Sequence, residues 1–235
     1  MASASNLESQ RILEEYDRRE RALGEEFYAL HRPGNLFVRH GQERALLRAL
    51  SRAACLPLAN KRILEIGCGR GQWFVTYECL CAKRHSLAGI DLEAQRAAEC
   101  AQRFAGADIR VGDATKLPWE DRSFDIVFQS TVFTSVLDAA VKPALAAEML
   151  RVVKDTGAIL WYDFRYNNPR NPHVRGIRHS EIKRLFPGCE IWLRRATLAP
   201  PLARRLVPWS WTFAALVEAT QLLNTHLVGY IKKRG

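Results

Sequence analysis

Three glycines and an acid stand within seven residues, Glu65-Ile66-Gly67-Cys68-Gly69-Arg70-Gly71, and no other stretch of this 235-residue chain has so plain a chemical use. Glycine lets a backbone turn sharply and lets a ligand approach without a Cβ in the way. A helix starting just after such a turn presents unpaired N–H groups. Two more acids follow. Asp91 closes the apolar stretch SLAGID, and Asp113 closes DIRVGD. A carboxylate in the first place can accept hydrogen bonds from both hydroxyls of a ribose; one in the second can take the amino group of an adenine. Singly, each is an ordinary strand-terminal aspartate. Together they fall at the carboxyl ends of consecutive strands, where open α/β sheets bind ligands.

The elements that must position these residues can be read from periodicity and punctuation. RILEIG (62–67) is a short apolar strand running into the glycines. Strand-like and helix-like segments then alternate: strand 86–91, helix 93–104, strand 108–113, strand 124–130, helix 138–152 and strand 157–164. Such alternation predicts a parallel sheet covered by helices on both faces. Beyond it come a short helix at 179–186, a strand at 190–198, a helical stretch at 201–223 and a last strand, THLVGYIKK (225–233). Ahead of the sheet, apolar residues at helical spacing predict helices over 7–30 and 38–54, separated by the breaker HRPGN. The implied organisation is an N-terminal helical cap (1–60) and a main domain (61–235) with a lid-like insertion at about 199–224.

The glycine spacing separates two kinds of nucleotide site. A dinucleotide turn needs Gly-x-Gly-x-x-Gly, whereas here position 72 is Gln and Gly71 comes one residue early. LEIGCGRG, GIDL, VGDATKLPWEDRSFDIVFQS and EMLRVVKDTGAIL, in this order, closely resemble the successive motifs of class I S-adenosylmethionine-dependent methyltransferases, of the subgroup acting mostly on small molecules. The likeness covers about residues 61–165. It implies a Rossmann-like seven-stranded sheet with helices on both faces and the last strand antiparallel, and S-adenosyl-L-methionine as cofactor. By the same resemblance Glu65 and the loop Gly67, Cys68, Gly69 and Gly71 hold the methionyl part. Asp91 with Leu92 binds the ribose, and Asp113 with Ala114 the adenine. Gln129 and Ser130 face the cofactor near the acceptor.

Catalytic residues are less legible, because displacement at a sulfonium needs alignment above all and a base only where the nucleophile must lose a proton. Asp163 and His173, in the polar stretch that leaves the 157–164 strand, and His31 in the N-terminal cap are the candidates. The alternative reading of that stretch is a rigid loop whose asparagines satisfy its own backbone. Asn168-Pro169 follows the fifth strand, not the fourth, and so does not match the signature of nucleic-acid amino-methyltransferases. Gln129 and Ser130 stand where catechol-type relatives place metal-binding acids, so no metal is expected.

Charge adds one more clue. The chain carries +10 overall, yet residues 161–235 hold 13 basic against 4 acidic side chains while the rest is nearly balanced. That asymmetry points to an anionic partner for the last third: an anionic small-molecule substrate, a membrane surface touched peripherally, or nucleic acid. The segment has no recognised RNA-binding motif, so no nucleic acid is expected. The opening residues lack the apolar run of a secretory signal, no apolar run reaches membrane-spanning length, and the six cysteines are scattered. These features predict a cytoplasmic enzyme whose most natural substrate is an oxygen of a secondary or cell-surface metabolite. A phosphate-bearing, lipid-linked or peptide carboxylate acceptor is the second reading. RNA modification or non-catalytic cofactor binding is the third.

Overall fold

The computed structural model describes residues 4–168 and 171–234; Pro169 and Arg170 of the polar stretch lie outside the described residues. Helix α1 (Ala4–Leu23) ends where Gly24 takes a positive φ of 64°, and a 3-10 turn (Glu25–Tyr28) follows. Thus the helix expected over 7–30 is cut short by the one residue there that adopts this conformation without strain. Pro33 opens α2 (Pro33–Arg52), where its missing N–H costs nothing. Then come β1 (Ile63–Ile66), α3 (Gln72–Cys79), β2 (Leu87–Asp91), α4 (Ala94–Arg103), β3 (Asp108–Val111), β4 (Phe124–Ser130), α5 (Val141–Val152) and β5 (Val153–Phe164). The remainder is α6 (His179–Leu185), β6 (Cys189–Leu198), α7 (Pro200–Leu206), α8 (Trp211–Ala219) and β7 (Asn224–Lys233). The helical stretch expected at 201–223 is two helices, because Ser210 caps a new one by accepting the N–H of Phe213.

All seven strands form one sheet in the order β3-β2-β1-β4-β5-β7-β6. β7 is antiparallel to both its neighbours, and β1 to β5 pair in parallel. The order in which strands are added reverses between β1 and β4, which opens a crevice at their carboxyl ends. β1 is buried along its whole length, as an inner parallel strand must be. Its side chains alternate between two cores. Ile63 packs with Leu46, Leu50, Phe74 and Tyr77 of α2 and α3, whereas Leu64 and Ile66 pack with Leu145 and Met149 of α5. By the same alternation Glu65 falls on the α2/α3 side.

The N-terminal helices do different work. α2 covers the sheet face and also meets the insertion: a Cβ on Gly34 would come within 2.5 Å of the Arg204 backbone, and Phe37 packs edge-on to Trp211 at 5.2 Å. α1 lies across the carboxyl ends of the strands, inserting Ile12 into the α5-side core. No helix among the described residues is long and apolar enough to cross a membrane.

Candidate active site

The turn after β1 is stitched to β2 before any side chain is considered. The N–H groups of Gly67 and Cys68 both donate to the carbonyl of Ile90, at 2.8 and 3.1 Å. Gly69 and Gly71 then take φ values of 50° and 73°, in the left-handed region that favours glycine. A Cβ on Gly71 would strike Phe104 and Cys100 within 2.8 Å, while one on Gly69 would project into open space. The first contact packs the turn onto α4; the second leaves a shelf where a ligand can lie against bare backbone.

Asp91 locks that shelf. One carboxylate oxygen accepts the N–H of Gly69 at 2.7 Å, and the other accepts that of Glu93 at 3.0 Å. Burial raises its pKa against the pull of these two bonds. Each oxygen keeps a lone pair for a further donor. Leu92, beside it, packs against the α5-side core, as does Ala114.

Glu65 is the most unusual group. It is almost wholly buried at the end of β1, and its Oε2 has no hydrogen-bond partner. Burial drives its pKa well above the usual carboxylate range; Arg39 pulls it down, and Asp91 adds to the rise. Arg39 is itself held by Glu43, Thr76 and the carbonyl of Gln72 and lies over the Trp73 ring, so it does not pair with Glu65 directly. An unpaired buried carboxylate is costly, and it suits an ammonium group that arrives from outside.

Asp113 and the end of β4 complete the rim. Asp113 accepts the N–H of Thr115 through Oδ1, and its Oδ2 accepts the hydroxyls of Ser5 and Ser9 from α1. Buried Gln129 accepts the N–H of Val132 through Oε1, and its Nε2 is unpartnered. Ser130 is half-buried, its carbonyl taken by the Thr131 hydroxyl. Cys68 is buried against Cys100, and that contact together with burial raises its thiol pKa.

α1 reaches every loop of this rim, which nothing in its residue types announces. Glu20 pairs with Arg70 of the glycine turn and with Arg96 of α4, at 2.9 and 3.0 Å. Tyr16 lies under the Arg96 guanidinium and meets Ser135. Glu8 accepts the N–H groups of Leu137 and Asp138.

The three catalytic candidates are not brought together. Asp163 is fully buried; its carboxylate accepts the hydroxyl of Thr134 at 2.5 Å and the N–H groups of Thr134 and Phe164. His173 is partly exposed, with Nε2 3.7 Å from Glu15 of α1. His31 is exposed and meets Glu26 at 3.3 Å, in the connection between α1 and α2. Among the described residues no group of three or more His, Cys, Asp or Glu is placed to hold a metal ion.

Residues 63–157 match the family model described as a methyltransferase domain. Over 138 residues the chain is 33% identical to a phthiotriol/phenolphthiotriol dimycocerosates methyltransferase of Mycobacterium ulcerans, covering 57% of this chain and 48% of that protein. It is also 33% identical to a fatty-acid O-methyltransferase of Mycolicibacterium smegmatis, covering 49% and 41%. The chain thus spans about half the length of these curated relatives or less. The fold superposes on 1,6-didemethyltoxoflavin-N1-methyltransferase of Burkholderia thailandensis, solved with its substrate and S-adenosylhomocysteine, with a TM-score of 0.67. That match covers all of this chain and 92% of the other, at 14% identity. The unpaired Glu65 carboxylate and the bare Gly69 shelf fit the ammonium and chain of a methionyl group, and the two aspartates fit an adenosine. Over residues 63–157 the chain is thus similar to a methyltransferase domain, and its fold is shared with an enzyme solved with S-adenosylhomocysteine bound.

Proposed function

We propose that this chain transfers a methyl group from S-adenosylmethionine to an oxygen of a small, largely apolar acceptor of lipid or secondary-metabolite type. The observation that carries the reading is the buried, unpartnered Glu65 carboxylate beside the glycine turn. The acceptor class rests on the lipid-modifying relatives and on the insertion, where Trp209 is 94% exposed and Phe213, Leu216 and Leu222 also face solvent. These side chains, carried on α8 and the turns that flank it, and α1 above the strand ends form a roof of two parts.

Bound adenosylmethionine supplies a methyl group already activated on a sulfonium sulfur. The work left to the chain is to hold and align. Glu65 would hold the ammonium, Asp91 the ribose and Asp113 the adenine, and positioning of this kind is worth roughly 7–11 kcal/mol to a displacement. α1 covers the crevice and excludes water. Where the acceptor is a hydroxyl, its proton passes to His173, the candidate base with accessible surface next to the α1 clasp. Asp163 is a positioning residue, tying the turn after β4 to the end of β5 through Thr134.

Three outcomes are expected. Incubating the chain with methyl-labelled cofactor and a fractionated cell extract should put label into the lipid or small-molecule fraction; label confined to RNA would overturn the acceptor class.

Cofactor binding should release protons, because burial raises the pKa of the Glu65 carboxyl well above its ordinary value and an ammonium beside it would lower it again. Calorimetry of adenosylhomocysteine in buffers of different ionisation enthalpy reads this directly. Glu65→Gln should abolish the release and weaken binding by about 1.5–3 kcal/mol, the usual worth of a hydrogen bond to a charged group. Unchanged proton release in a folded variant would remove Glu65 from the site.

Burial pushes the Asp163 carboxyl up to about 7, against the pull of Thr134 and the two N–H groups. Its folded value exceeds the unfolded one of about 3.9. Its contribution to stability is thus fully present below the unfolded value and is lost as pH rises through about 7. A carboxyl carbon titration should show a midpoint near 7. A midpoint in the ordinary aspartate range would contradict the assigned environment.

A further inference from the structure

A cavity of about 890 Å³ opens beside β5, β7, β6 and α6, and it shares no residue with Glu65, the glycine turn, Asp91 or Asp113. Arg165, Arg175, Arg178, Arg184 and Arg195 line it with a single acid, Glu181. That acid is already neutralised. Its Oε1 takes the guanidinium of Arg175 at 2.6 Å and the ammonium of buried Lys142 at 3.2 Å. Among the described residues, Arg165, Arg178, Arg184 and Arg195 pair with no acid. Four guanidinium groups thus face one basin without a counter-charge, although each unit of net charge there raises the electrostatic cost of the others.

The basin is built on a fixed frame. Arg165 and Arg178 flank the neck of the segment between β5 and α6, where Ile177 donates to the carbonyl of Phe164 and Arg165 to that of Thr225. At the same neck a Cβ on Gly176 would fall within 2.6 Å of the Tyr166 backbone, so the two strands of the neck cross in contact. Arg165 lies over the Tyr166 ring at 4.6 Å. Leu193 and Leu227 give the cavity an apolar floor.

We propose that this cavity is a binding site for an organic phosphate: a phosphorylated head on the arginines, with an apolar body against the leucine floor. Guanidinium forks match phosphate oxygens two at a time, and a group with two or more negative charges answers several arginines where a single carboxylate answers one. The volume is that of a ligand pocket, too large for a bare ion. A lipid head group and a soluble phosphate ester share this chemistry. The proposal does not depend on methyl transfer or on the acceptor.

The test is binding of inorganic pyrophosphate by calorimetry at fixed ionic strength, with sedimentation on phosphatidylcholine vesicles with and without phosphatidic acid alongside. Arg178, just before α6, and Arg184 on it are exposed, so Arg178→Ala/Arg184→Ala should fold, which its melting curve verifies. Lys183→Ala removes one positive charge from the same helix outside the cavity lining. The double variant should weaken binding about tenfold or more, and Lys183→Ala by less than about twofold. Pyrophosphate binding lost in the double variant supports a soluble ligand; added capture by phosphatidic acid vesicles, lost in the same variant, supports a lipid head group. Absence of both, or an equal loss in Lys183→Ala, would overturn the site.

Discussion

An acid buried at the end of an inner parallel strand, with one oxygen unpaired, is the constraint around which this domain is arranged. Glu65 gains nothing for the core. Its neighbours on the same face of β1 and β4 are Ile63, Ile126 and Phe128. Among the described residues the cation that acts on it, Arg39, is spent on Glu43, Thr76 and the carbonyl of Gln72. Burial raises the pKa of a group so placed, and a cation brought beside it would lower it. Its position follows from β1 being only four residues long and leading straight into the glycine turn.

α1 lies along the rest of the crevice rim and takes up one of its acids. The hydroxyls of Ser5 and Ser9 sit on the Asp113 oxygen that an adenine amino group would use. Glu20 holds Arg70 and Arg96 through pairs whose members are partly exposed. Exposed pairs of this kind contribute about 0–1 kcal/mol each. The firmer attachment is the buried Ile12. A helix held by exposed polar ties of this kind can exchange them for a ligand's at small cost, as the proposed role of α1 as a cover requires.

Legibility in the sequence followed locality. The strand ends, the glycine turn and the order of alternating elements depend on neighbours a few residues apart, and the sheet has the expected seven strands with β7 antiparallel. The breaks at Gly24 and Ser210 were hidden because apolar spacing runs on through both, and only backbone conformation and capping end the helices. The partners of Asp113 were hidden for a different reason. Ser5 and Thr115 are 110 positions apart yet meet on one carboxylate, and no local pattern encodes where α1 lies. Asp163 has the residue type of a base, but its place among Thr134 and Phe164 is a matter of tertiary burial.

A crystal structure of the chain with S-adenosylhomocysteine tests the central claim most directly. The ligand's ammonium should lie within hydrogen-bond reach of Glu65, its ribose hydroxyls on Asp91 and its adenine amino group on Asp113, with Ser5 and Ser9 displaced. A ligand bound elsewhere, or one bound in the crevice with Glu65 still unpaired, would contradict it.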